Sequence, residues 1–181
     1  MVSAKDVVNF FIMCSARPER MTNMRANKLA YYSQAWSIVR LGHPLFQDSI
    51  EAWEHGPVIQ SIYRAYSVYR NNPIPAPESV SFLDHFSEEE RQLLIDVSRE
   101  YDTMSTWQLR NLTHSESEPW CKVYKPHEKH TIIPTNLIES CFKELIPLPR
   151  ISLEDSFSAI PVVDALPLEW EDDGWEEDVS Q

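Results

Sequence analysis

Over the first 146 residues the apolar positions recur mostly at helical spacing. Ser3, with Asp6 three residues on, has the form of a helix N-cap. Val7, Phe11 and Cys14 line one face of the short helix it opens, which ends before Pro18. Thr22 or Asn23 caps a second helix reaching about Arg40. Its stripe of Leu29, Tyr32, Trp36 and Val39 is widened by Tyr31, Ala35 and Ile38, which predicts a central, well-covered helix. Gly42 is placed to end it. Further on, Ser87-Glu88-Glu89-Glu90 is a capping box for a helix whose Leu93, Leu94, Val97 and Tyr101 point inward. Ser105 caps a short helix with Trp107, Leu109 and Leu112, and Thr135 caps a last one with Leu137, Ile138, Cys141, Phe142 and Leu145.

Between the second and fourth helices the pattern changes. Ile50, Ala52 and Glu54 alternate with Glu51, Trp53 and His55, a period of two that predicts a strand. Leu45-Phe46 and Ile50–Trp53, flanking Gln47-Asp48-Ser49, read as a small hairpin or a pair of irregular strands. At His55-Gly56-Pro57 the glycine is free in φ and the proline is fixed, so a corner is predicted there. A third helix follows from about Val58, with Ile59, Ile62, Tyr63 and Tyr66 at helical spacing, and fades at Asn71-Asn72. Trp53, Tyr63 and Tyr66 read first as core packing, and His55 as either a hydrogen-bonder in the corner or a functional side chain. The proline-rich Pro73–Pro77 is a stiff connector, and Thr113–Pro134 shows no period. The fold class is therefore mainly α: a compact helical domain with a small β-hairpin element over residues 1–146, then an acidic, extended C-terminal tail over 147–181.

Charge sharpens that division. The 181-residue chain carries a net charge of −12, with ten acids against the single base Arg150 from Pro147 onward. That sign disfavours direct binding to nucleic acid and favours a basic partner. Within the tail, Ile160, Val162, Val163, Leu166, Leu168, Trp170 and Trp175 alternate with acids, so Leu166, Trp170 and Trp175 are candidate contacts laid along a partner. Otherwise the tail folds back on its own domain or is merely solvated. The three cysteines, Cys14, Cys121 and Cys141, are odd in number and far apart, which fits a reducing compartment better than a disulfide framework. Asp6 and Asn9 interrupt the apolar opening, no convincing cleavage site follows, and no run is long enough to span a bilayer. A cytoplasmic protein without a membrane partner is expected.

Candidate chemistry is thin. His114, Glu116, Cys121, His127 and His130 are the densest set of possible metal ligands, but their spacing matches no zinc motif, and surface histidines on an irregular loop are the simpler reading. Cys14 and Cys141 fall on apolar helix faces typical of inert buried thiols, and nothing near Cys121 activates it. The three glycines Gly42, Gly56 and Gly174 are too far apart for a phosphate-binding loop. No catalytic residue, metal or cofactor is expected.

Three segments together resemble one family. Residues Asn23–Trp36 contain Lys28-Leu29, Tyr31, Tyr32, Gln34 and Trp36; Glu51-Ala52-Trp53-Glu54-His55-Gly56-Pro57-Val58 is followed by Tyr63; and Leu109, Leu112-Thr113-His114, Glu116 and Pro119-Trp120 complete the set. In order and separation they resemble the Panacea antitoxin domain, also called SocA-like or GepA-like, over roughly Val2 to Leu145. Ala30 stands where that family often has a bulkier aliphatic. The resemblance implies a mostly helical domain with a small β element and no enzymatic activity. It implies an antitoxin of a bacterial or prophage toxin–antitoxin system that neutralises a cognate protein toxin, expected to present a basic surface, by direct binding. On this reading Trp53, His55, Tyr63, His114 and Trp120 are candidate partner contacts, and the remaining motif residues are structural. Two other classes stay open: an adaptor that delivers a bound partner to a protease, and an acidic nucleic-acid mimic that blocks a defence or DNA-binding protein.

Overall fold

In a computed structural model of the chain, residues 2–15, 17–128 and 130–145 are described; the domain boundary expected at Pro147 and the tail contacts Leu166, Trp170 and Trp175 lie outside them. The described helices are α1 (Ala4–Cys14), α2 (Asn23–Arg40), α3 (Gln60–Tyr66), α4 (Glu88–Tyr101), α5 (Thr106–Thr113), α6 (Pro119–Val123) and α7 (Thr135–Lys143). The strands are β1 (Ile50–Trp53), β2 (Gly56–Ile59) and β3 (Thr131–Ile132). They form one antiparallel sheet in the order β2-β1-β3.

Helix α2 is the axis of the domain. It packs against α1, α3, α4, α5, α7 and β2, and is buried from Asn23 to Ile38. Around it the apolar core draws on every layer: Phe10 and Phe11 of α1, Leu93, Leu94 and Val97 of α4, Ile138 and Phe142 of α7. An aromatic seam joins three helices, since Tyr32 stacks on Tyr101 at 4.3 Å while Phe142 meets the edge of Trp36 at 5.4 Å. The Trp36 indole N–H donates to the Tyr101 hydroxyl at 3.1 Å, so these two buried polar atoms are paired with each other. Ser3, Ser87 and Ser105 each close a capping box with the residue three positions on, and Thr22 caps α2. Gly42 has φ +77° just beyond α2.

Several sequence expectations need correction. The hairpin is not built around Gln47-Asp48-Ser49: β1 turns through Glu54-His55 and pairs with β2, Trp53 opposite Gly56 and Ile50 opposite Ile59. Pro57 therefore sits in a strand rather than at a helix start, which is tolerated because β2 is an edge strand. Helix α3 consequently begins at Gln60, not Val58, and ends at Tyr66 before a 3-10 turn over Ser67–Tyr69. The stretch Thr113–Pro134 holds a short helix and a two-residue strand. Pro134, without a side-chain cap bond, precedes α7 in place of a Thr135 cap. Cys14 lies at the exposed end of α1, whereas Cys141 is buried as expected.

Candidate functional site

Helix α2 carries a row of polar residues that a hydrophobic stripe would place in solvent, yet they are buried. Between them they hold backbone that precedes β1, backbone of β2 and backbone of α3. Asn27 Oδ1 accepts the Ile59 N–H at 2.8 Å, and its amide nitrogen donates to Asn23, whose own amide donates to the Tyr63 carbonyl at 3.0 Å. Gln34 Oε1 accepts from Leu45 and Phe46, and Nε2 returns a bond to the Phe46 carbonyl. Lys28 Nζ donates to the Pro57 carbonyl at 3.1 Å. Buried backbone groups outside regular ladders must find partners, and α2 supplies them for the segments on both sides of the sheet.

The corner over Lys28 is packed to the limit. Gly56 adopts φ +103°, and a Cβ there would lie 2.6 Å from Thr113 Oγ1 and 2.7 Å from Lys28 Nζ. Thr113 Oγ1 donates to the Arg110 carbonyl at 2.7 Å. His114 spans two elements, with Nδ1 2.7 Å from the Arg110 carbonyl and Nε2 3.2 Å from the Glu54 carbonyl. Burial, together with the charges of Arg110 and Lys28, holds the imidazole below its usual pKa despite those two acceptors. A neutral ring donates to only one of them. Burial, with Arg110 nearby, also brings the Lys28 ammonium down to about 7.

A second buried polar pair lies behind α6. Glu118, the residue before Pro119, is buried and accepts the Tyr31 hydroxyl at 2.9 Å; burial raises its carboxyl to about 7 against the lowering effect of that bond. These two groups give stability a defined pH dependence. Glu118 binds its proton more tightly folded than unfolded, so its contribution favours the fold at low pH and is lost as pH rises from about 4.5 to about 7. Lys28 has the opposite sense, because its folded pKa is depressed: it costs stability below about 7, and the cost fades as pH rises toward 10.5. Urea unfolding across pH 4–9 should therefore show Glu118→Gln gaining on the parent between pH 5 and 7, by on the order of 2 kcal/mol. Lys28→Met should flatten the rise above pH 7. A Glu118→Gln difference that is flat with pH would refute the raised carboxyl.

At the surface the hairpin end carries aromatic rings. Trp53 packs on Tyr63 at 4.9 Å, and its indole N–H donates to Glu51 Oε2 at 2.9 Å. His114, Trp120 and Tyr124 form a column, with centroids 3.8 Å and 4.5 Å apart. The Trp120 indole N–H donates to the Trp53 carbonyl at 2.7 Å. Structure thus brings the candidate contacts Trp53, His55, Tyr63, His114 and Trp120 to one end of the sheet. They differ in access: Trp120 and Tyr63 are buried, while Trp53, His55 and His114 are half-buried. Leu112 is exposed, and Thr113 and Pro119 are buried.

A family model described as Antitoxin SocA-like, Panacea domain matches residues 27–121, just over half of the chain. The chain belongs to that family. The matched span contains the signature residues from Lys28 to Trp120, and is narrower than the Val2–Leu145 expected from the resemblance. No curated protein and no solved structure matches the chain. In this Panacea domain the signatures converge: Lys28 from the first, Glu54 to Pro57 from the second, and Thr113 and His114 from the third meet at the corner. The first signature holds the backbone of the second, and the third closes over it. Sequence reasoning missed the buried Glu118, although an acid directly before a proline at a helix start was a visible cue. It also missed Glu54, Tyr124 and Glu128 as companions of Trp53. Among the described residues no group of three or more His, Cys, Asp or Glu is disposed to hold a metal ion, and no helix is long and apolar enough to cross a membrane.

Proposed function

We propose that this Panacea domain is an antitoxin that neutralises a protein toxin by binding it directly and catalyses no reaction itself. The family match carries the reading. Two further observations support it. The signature side chains are engaged in holding the fold together, since the amine of Lys28, the amides of Asn27 and Gln34 and the hydroxyl of Thr113 are all hydrogen-bonded to the domain's own backbone. The net charge of −12 suits a partner with a basic surface. Contact falls on the hairpin end, with Trp53, His55 and His114 reaching the surface over the buried Tyr63 and Trp120. The tail from Leu166 to Trp175 adds acids and indoles to the same partner, in the cytoplasm of a bacterium carrying the toxin gene beside this one.

Co-expression with the product of the adjacent gene tests this reading, with growth and co-purification as the two readouts. Rescue of growth together with a stable complex is expected, and a chain ending at Leu145 should neutralise less well. Full neutralisation by the shortened chain would remove the tail from the interface. Rescue without a complex would point to delivery to a protease, and a harmless neighbour with no complex would overturn the assignment.

A further inference from the structure

Beside Trp53 the chain forms a hollow of about 170 Å³ lined by Trp53 and Tyr124, by His127 and His130, and by the acids Glu54 and Glu128. It is assembled by the return of β3 to β1, which brings Tyr124, His127, Glu128 and His130 beside the hairpin. His130 Nδ1 lies 2.8 Å from Glu51 Oε2, the same oxygen that accepts the Trp53 indole. The orientation of Trp53 is therefore fixed before any partner arrives. Backbone strain occurs here too: His127 and His130 hold φ values of +71° and +60°.

The chemistry of the walls is selective. Two electron-rich rings attract a cation over their faces, and planar guanidinium stacks on them better than an ammonium. Glu54 and Glu128 are exposed and add negative charge at the mouth; Lys125 pairs with Glu128 at 3.2 Å, both side chains being largely in solvent, so that pair is easily exchanged. The Trp120 ring stacks on Tyr124 within 15° of parallel, which sets the plane of the tyrosine ring.

We infer that this hollow is the receptor for an arginine side chain of the protein partner, whose guanidinium enters between Trp53 and Tyr124 and meets the carboxylates of Glu54 and Glu128. The inference rests on the antitoxin reading for the identity of the partner, but the hollow's preference for guanidinium can be measured without one. In a two-dimensional NMR titration of the full chain, N-acetyl-arginine amide should shift the Trp53 indole and Tyr124 ring resonances in a saturable, weak manner. N-acetyl-citrulline amide, equal in shape but neutral, should not. Equal shifts from both probes, or none from arginine, would overturn the inference while leaving the antitoxin reading intact.

The second arm uses the complex. Glu54→Lys with Glu128→Lys places two cations at the hollow without touching a buried group, and should weaken binding of the adjacent-gene toxin roughly tenfold or more, since like charges brought together at an interface repel. Circular dichroism and thermal unfolding should match the parent. Undiminished binding by a folded double variant would overturn the receptor role in the complex. If the parent chain itself binds no toxin, the antitoxin reading fails and the NMR result alone decides the hollow.

Discussion

Replacing Gly56 with alanine should cost about 3 kcal/mol of stability, or roughly 10 °C in unfolding temperature. Two penalties act together. At φ +103° an L side chain is strained whatever the space around it. The added methyl also meets Thr113 Oγ1 at 2.6 Å and Lys28 Nζ at 2.7 Å. Neither can retreat cheaply, because the hydroxyl is tied to the Arg110 carbonyl and the amine to the Pro57 carbonyl, both within the domain. Breaking either bond leaves a buried polar group unpaired. Thermal unfolding monitored by tryptophan fluorescence reads the effect directly. A loss below about 1 kcal/mol would show that the corner relaxes, and that the convergence of the three signatures is not what fixes it.

The other large effect is expected at Arg25, whose side chain is among the largest fully buried ones in the molecule. Its guanidinium donates to the carbonyls of Tyr101, Asp102 and Met104, at 2.7–3.2 Å, and to the Asp102 carboxylate at 3.2 Å. These carbonyls lie at the end of α4 and just beyond it, where helical donors run out. One residue near the start of α2 thus ties the central helix to the end of α4, and through Asp102 to Ser15 after α1. Arg25→Ala should destabilise by about 3–5 kcal/mol, because it deletes the donor and strands its acceptors. Arg25→Lys should recover less than half of this, since an ammonium cannot span the fork of carbonyls. Urea unfolding of both variants checks the claim. Equal stability of the lysine variant and the parent would mean that charge alone, rather than the geometry of the fork, holds α4.

Helix positions were largely legible in the chain because local signals decide them. The serine capping boxes at Ser3, Ser87 and Ser105 and the apolar stripe of α2 needed no tertiary knowledge. The hairpin was displaced for a physical reason. In sequence Pro57 reads as part of a corner with a helix following from about Val58, while on an edge strand its missing N–H costs nothing. The polar face of α2 was illegible for a different reason. Periodicity assigns Asn27, Lys28 and Gln34 to solvent, and only the return of distant backbone to that face turns them into internal donors and acceptors. The family resemblance marked these residues without giving their role. The hollow beside Trp53 escaped notice because Tyr124, Glu128 and His130 reach it only through the two-residue strand β3, too short to leave a pattern.

Direct neutralisation is the central claim, and mixing purified components tests it most directly. The toxin's own activity is followed while this Panacea domain is titrated in, with no protease and no nucleic acid beyond any the assay requires. Activity should fall in proportion to the domain added and level off at a fixed stoichiometry, with the complex visible by size-exclusion chromatography. Toxin activity that persists at excess domain, while co-expression still rescues growth, would contradict direct neutralisation.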